Sequence, residues 1–168
     1  MARHTLSVLV NNHMGVLSRV AGLFSRRGFN IESLAVGETE DSAFSRMTIV
    51  TSDVDDETYS QIKTQLGKLM DVVKIHEADK VDSVVRELAL IKIDSKNDKR
   101  SQILELVNIF RAHVLDVTSE SMMIEITGDS EKISAIISML DEFGVKEVIR
   151  TGAIAIARGS SELKKDTK

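Results

Sequence analysis

The sequence predicts an α+β protein built from two small β-α-β-β-α-β units in tandem. Three observations carry this. Strand and helix patterns alternate in the same order twice, over residues 4–77 and again from Val84 onward. A polar stretch, "EADKVD" (77–82), separates the two runs. Proline is absent, so no proline-rich linker or rigid hinge joins them.

The first run opens with "TLSVLV" (5–10), β-branched and leucine-rich, a buried strand. From Gly15, the apolar residues Val16, Leu17, Val20, Ala21, Leu23 and Phe24 recur at helical spacing and make one apolar face. Arg26 and Arg27 place cations at the negative pole of that helix, and Gly28 is free to take positive φ and end it. "NIESLAVGE" and "AFSRMTIVT" are rich in β-formers and flank the turn composition "TEDS", which predicts a hairpin. "DVDDETYSQIKTQLGKLM" begins with carboxylates that suit a helix start, and its apolar face carries Tyr59, Ile62, Leu66 and Leu69. "DVVKIHE" closes the unit as a strand.

The second run repeats the plan. "VVRELALIKI" is a strand, and "DKRSQILELVNIFR" is a helix with Ile103, Leu104, Val107 and Phe110 on one face. "HVLDVT" and "SMMIEITG" form a hairpin. "DSEKISAIISMLDEFG" is a helix through Ile133, Ile136, Ile137 and Leu140, stopped by Gly144. "VKEVIRTGAIAIA" is a last strand, and the polar "GSSELKKDTK" is expected to be a disordered tail. The expected division is 1–78, 79–158 and a tail at 159–168. Both units fit the ferredoxin-like split β-α-β plan. Units of about 75–80 residues are small for a stable core, so burial by association is expected.

Composition excludes several classes. The net charge is −4, so no general field draws the chain to nucleic acid or an anionic membrane. No apolar run approaches the roughly 20 residues of a membrane helix, and "MARHTLSVLV" goes straight into a strand pattern rather than a signal peptide. Cysteine is absent, which removes disulfides and thiolate metal sites. A cytoplasmic location is expected.

The stretch between the first strand and first helix, "NNHMGVL" (11–17), is the chemical feature of the chain. A helix start presents unpaired N–H groups with partial positive charge. Gly15 carries no side chain to obstruct an approaching anion, and Asn11 and Asn12 add donors and acceptors. A phosphate loop fits poorly, because neither its lysine nor its hydroxyl follows the glycine. A zwitterion fits better, with its carboxylate on helix amides and its ammonium on an asparagine carbonyl. The plainer reading is a cap at Asn12 and a turn at Gly15.

Asn30 bears on that choice. In the predicted topology it opens strand 2 at the far end of the first helix, and a helix of about 12 residues spans roughly 18 Å. Asn12 and Asn30 of one chain therefore cannot share a small ligand. Strand 2 is an edge strand in this plan, and an exposed edge invites pairing. Antiparallel pairing of two such edges about a two-fold axis brings Asn30 of one chain to the Asn12–Gly15 corner of its partner.

"LSVLVNNHMGVLSRVAGLFSRRGFNIESLAVGETED" with "SRMTIV" closely resembles the ACT domain of the acetolactate synthase small-subunit family. "VVRELALIKI", "IFRAHVLDVT" and "VIRTGAIAIARG" resemble that family's second domain. The resemblance implies a non-catalytic chain with no cofactor or metal of its own. It implies a large catalytic partner that uses thiamine diphosphate, magnesium and FAD to condense pyruvate with a second 2-keto acid. It also implies activation of that partner and feedback inhibition by a branched-chain amino acid, commonly valine. Carried onto this sequence, the effector residues are Asn12, Gly15 and the backbone of Val16 and Leu17, with Asn30 and Ile31 from the other chain of an ACT homodimer.

Two other readings fare worse. An enzyme needs a cluster, but His4, His13, His76 and His113 are scattered without an i, i+4 metal partner. Acylphosphatases share this plan and need an arginine and an asparagine around a phosphate loop, whereas Arg19 falls on the first helix rather than in such a loop. RNA-recognition domains need exposed strand aromatics and a basic face, but Phe24, Phe110 and Phe143 fall on helices and the charge is negative.

Overall fold

The computed structural model describes residues 2–78, 81–96 and 99–164. The first unit contains β1 (Ala2–Asn11), α1 (Val16–Arg27), β2 (Ser33–Glu38), β3 (Phe44–Val54), α2 (Asp56–Gly67) and β4 (Val72–Glu77), in the expected order. Its antiparallel sheet has the order β2-β3-β1-β4, which makes β2 and β4 the edges. The second unit follows with β5 (Ser83–Asp94), α3 (Lys99–Ile109), β6 (His113–Val117), β7 (Ser121–Gly128), α4 (Ser130–Leu140) and β8 (Val145–Arg150). Its sheet runs β6-β7-β5-β8, the same arrangement. Both units are ferredoxin-like.

The helix boundaries follow from local chemistry. The N–H of Gly28, at φ 71°, returns to Phe24 and Ser25 carbonyls and closes α1. Asp55 caps α2 by accepting a 2.7 Å bond from the Thr58 amide, and Asp129 caps α4 through Lys132 at 2.8 Å. Each sheet packs one face on its two helices. Leu6, Val8, Val10, Met47 and Ile49 meet Val20, Phe24, Ile62 and Leu66 in the first unit. Ala89, Ile91, Ile93, Ile124 and Ile126 meet Ile103, Ile133 and Ile136 in the second.

The C-terminal stretch departs from expectation. "VKEVIRTGAIAIA" is not one strand, because it breaks at Gly152 (φ 81°) into β8 and a short β9 (Ile154–Ala157). The compact units comprise residues up to 85 together with those from 153, and residues 86–152. This differs from the expected break at 78 and from a second domain reaching 158. Residues 159–164 are not a free tail either, since Leu163 is 8% exposed and its carbonyl accepts a 3.1 Å bond from Arg46.

Strand alternation explains the departure. Because Leu6, Val8, Met47 and Ile49 face the helices, Ser7, Leu9, Thr48 and Val50 face the other way. All four of these are nonetheless buried, at 0–2% exposure. The cover is the C-terminal segment. The Ala153 amide donates to Ser33 Oγ at 3.2 Å, opposite Val50, and Leu163 reaches Arg46, opposite Leu9. Between them β9 pairs with β5, and Arg158 N–H donates to the Asp82 carbonyl at 2.7 Å. The first unit is therefore three layers deep, with two helices, a sheet, and a returning segment.

Candidate functional site

The corner between β1 and α1 is held from both sides. The Asn11 amide donates to Asp71 O at 2.9 Å, and the Asn12 amide to Ala43 O at 2.8 Å. The Asn12 side chain donates to Ser42 O at 2.9 Å, which pins the β2–β3 turn to the end of β1. It does not cap the helix. The residue at the cap position is Gly15, in the left-handed region at φ 87°, and no side chain bonds to the first amides of α1. The Val16 amide makes a long 3.4 Å bond to His13 O, and Arg19 N–H is the first to reach a helical acceptor, Gly15 O, at 3.0 Å. The cap reading for Asn12 is thus excluded, and the start of α1 is left without a side-chain acceptor.

Gly15 is needed for its φ, which an L-residue adopts only at a cost of about 1–2 kcal/mol. Its surroundings are also occupied. A Cβ there would lie 3.2 Å from Arg19 Nη1. Arg19 sits one turn along α1, and helical side chains lean toward the N-terminus, which brings the guanidinium back over the glycine. Its Nε donates to Asp71 Oδ2 at 2.6 Å, while His13 Nε2 lies 2.9 Å from Asp71 Oδ1. The bond from Arg19, above all, holds the Asp71 carboxyl below the usual carboxylate range. His13 adds to this, against the opposing push of partial burial.

Of the remaining expected residues, Val16 is buried at 3% exposure, so its backbone alone is available. Leu17 is 45% exposed beside the corner. Asn30 is exposed and Ile31 packs on the first core, both just before β2. The structure does not bring these two to the corner. The Asn12 amide bonds at Ala43, next to the start of β3, and Glu32 N–H bonds Val50 O near its other end. Six strand residues separate these points by about 20 Å. Sequence reasoning missed Asp71, 56 positions after Gly15, and left His13 without a role. The i+4 spacing of Gly15 and Arg19 was the available signal for the arginine.

Among the described residues, no group of three His, Asp or Glu side chains is placed to hold a metal. No helix there is long and apolar enough to cross a membrane.

A family model described as the AHAS small subunit-like ACT domain matches residues 6–74, and a model for the small subunit of acetolactate synthase matches 86–159. The probable acetolactate synthase small subunit of Archaeoglobus fulgidus is 51% identical over 160 residues, covering 95% of this chain and 99% of that protein. The chain belongs to the acetolactate synthase small-subunit family. The small subunit of Mycolicibacterium smegmatis is 53% identical over 156 residues, 93% of this chain and 91% of that one. The crystal structure of the Thermotoga maritima small subunit superposes with a TM-score of 0.85 at 44% identity, covering 96% of this chain and all of that one. The corner lies within the ACT match, and all of the matched residues belong to the first unit.

Proposed function

We propose that this chain is the regulatory subunit of an acetolactate synthase. It activates a large catalytic subunit that uses thiamine diphosphate, magnesium and FAD. It confers feedback inhibition by a branched-chain amino acid, with valine the first choice, in the cytoplasmic synthesis of valine, leucine and isoleucine. The chain itself carries out no chemistry. What supports this reading, beyond the family, is the start of α1: a glycine at positive φ followed by amides that no side chain caps. That corner suits the carboxylate of a free amino acid. The effector lies on an ACT dimer seam, against Asn12, Gly15, Val16 and Leu17 of one chain and Asn30 and Ile31 of its partner.

The test is reconstitution. Large subunit and this chain are mixed, and activity is followed against valine, leucine and isoleucine. The expected result is stimulation by this chain and inhibition that saturates with valine. Absence of stimulation, or turnover of pyruvate by this chain alone, refutes the proposal.

The seam has its own test. β2 is an edge of its sheet, and Val36 on it is 46% exposed. Lysine on a pairing edge opposes association. Val36→Lys is expected to lower the mass measured by light scattering from dimer toward monomer. A monomeric wild type at micromolar concentration would remove the seam.

A further inference from the structure

We propose that Arg19 is the carboxylate-binding side chain of the effector corner, and that Asp71 is the positioning residue that holds it there. The assignment rests on the effector reading above. Arg19 Nη1 lies 3.2 Å from where a side chain on Gly15 would begin, so the guanidinium sits over the glycine, where a side chain there would have to go. Its Nε is committed to Asp71 Oδ2 at 2.6 Å. Among the described residues, its two terminal nitrogens donate no hydrogen bond. One edge of the fork is fixed and the other is left to bind, which suits a planar carboxylate.

Asp71 is suited to the holding role. Its side chain is 14% exposed, against 49% for Arg19, so the anchor is the buried member of the pair. Its second oxygen meets His13 at 2.9 Å, on the other side of the glycine. The Asp71 carbonyl also accepts the Asn11 amide at 2.9 Å, which ties the anchor to the strand end that carries Asn12. A carboxylate entering the corner thus meets uncapped helix amides and a guanidinium already turned toward it, with little side-chain freedom left to lose. Leaving Arg19 free of the anchor would restore that freedom and weaken binding without removing the charge.

The experiment is calorimetric titration of the full chain with valine, leucine and isoleucine, using wild type, Arg19→Gln, Arg19→Lys and Asp71→Asn, with melting followed in parallel. Arg19→Gln is expected to weaken binding at least tenfold and to flatten its dependence on salt. Arg19→Lys should recover part of the affinity, and Asp71→Asn should lose less than Arg19→Gln. Wild-type affinity in Arg19→Gln overturns the assignment. So does equal loss in the Gln and Lys variants with the salt dependence of the wild type. A wild-type chain that binds none of the three amino acids refutes the effector reading itself, a result distinct from either.

Discussion

Gly15→Asp is expected to abolish inhibition of the reconstituted enzyme by valine while leaving its activation intact. The residue sits at φ 87°, so aspartate pays a backbone cost of about 1–2 kcal/mol at most, since Asp and Asn visit this region more readily than other residues. The same carboxylate stands at a helix N-terminus, where it returns about 0.3–1 kcal/mol, and beside Arg19, 3.2 Å from its Cβ. The charge offsets part of the backbone cost, so melting should fall by less than the backbone cost alone would lower it. Gly15→Asn is the control. It carries the same backbone cost without the charge, and should melt lower than the aspartate variant. Only aspartate places a negative group where the ligand's carboxylate is proposed to lie. Allosteric coupling is typically about 1–3 kcal/mol, so its loss moves half-inhibition about 5–150-fold. Wild-type half-inhibition in Gly15→Asp would reduce Gly15 to a turn residue.

That prediction depends on a quantity the sequence does not contain, the sign of φ at Gly15. With negative φ the same substitution would be neutral or stabilising, and melting alone could not separate a turn from a site. Much else was legible. The helices show in apolar spacing, and their ends in Asp55, Asp129 and Gly28, because capping is local chemistry. The corner was legible as a glycine between two asparagines and an amphipathic helix. Its geometry was not. Asn12 reads as a cap from sequence and instead bonds Ser42, 30 residues away. Asp71 reads as the start of a strand and instead anchors Arg19 and His13. Both contacts are made by the sheet, which sets residues far apart in sequence side by side. The separation of Asn12 from Asn30 was legible, because it needs only strand order and helix length.

The last strand illustrates a different gap. "GAIAIA" alternates small and large residues, and such a pattern fits an edge of either sheet. Nothing local says which. What decides it is the far face of the ACT sheet, where Leu9 and Val50 would be left in water by a two-layer fold. Mean burial of that face by the returning segment offsets this cost, so residues 153–164 belong energetically to the domain that begins the chain rather than the one they follow.

Leu163→Asp is therefore expected to destabilise the ACT domain, although Leu163 lies at the opposite end of the chain from β1. Full burial of a leucine side chain is worth about 1.5–3 kcal/mol, all of which is lost. The new carboxylate would also join Glu40 and Asp41, which line the same cavity as Leu163, Leu9 and Phe44. For a domain of this size, 1 kcal/mol corresponds to roughly 4–8 °C, so a drop of about 6–24 °C in the first unit's transition is expected. Leu163→Met keeps the volume and should cost less than about 1.5 kcal/mol. Hydrogen exchange locates the effect. Amides of β1 and β3 should exchange faster in Leu163→Asp, while those of β7, in the second unit, should not. If residues 159–164 were the free tail that their polar composition suggests, the aspartate would change stability by no more than about 0.5 kcal/mol, as at an ordinary surface position. A melting curve and an exchange pattern indistinguishable from wild type would establish that, and would leave the far face of the ACT sheet to be covered by something other than this segment.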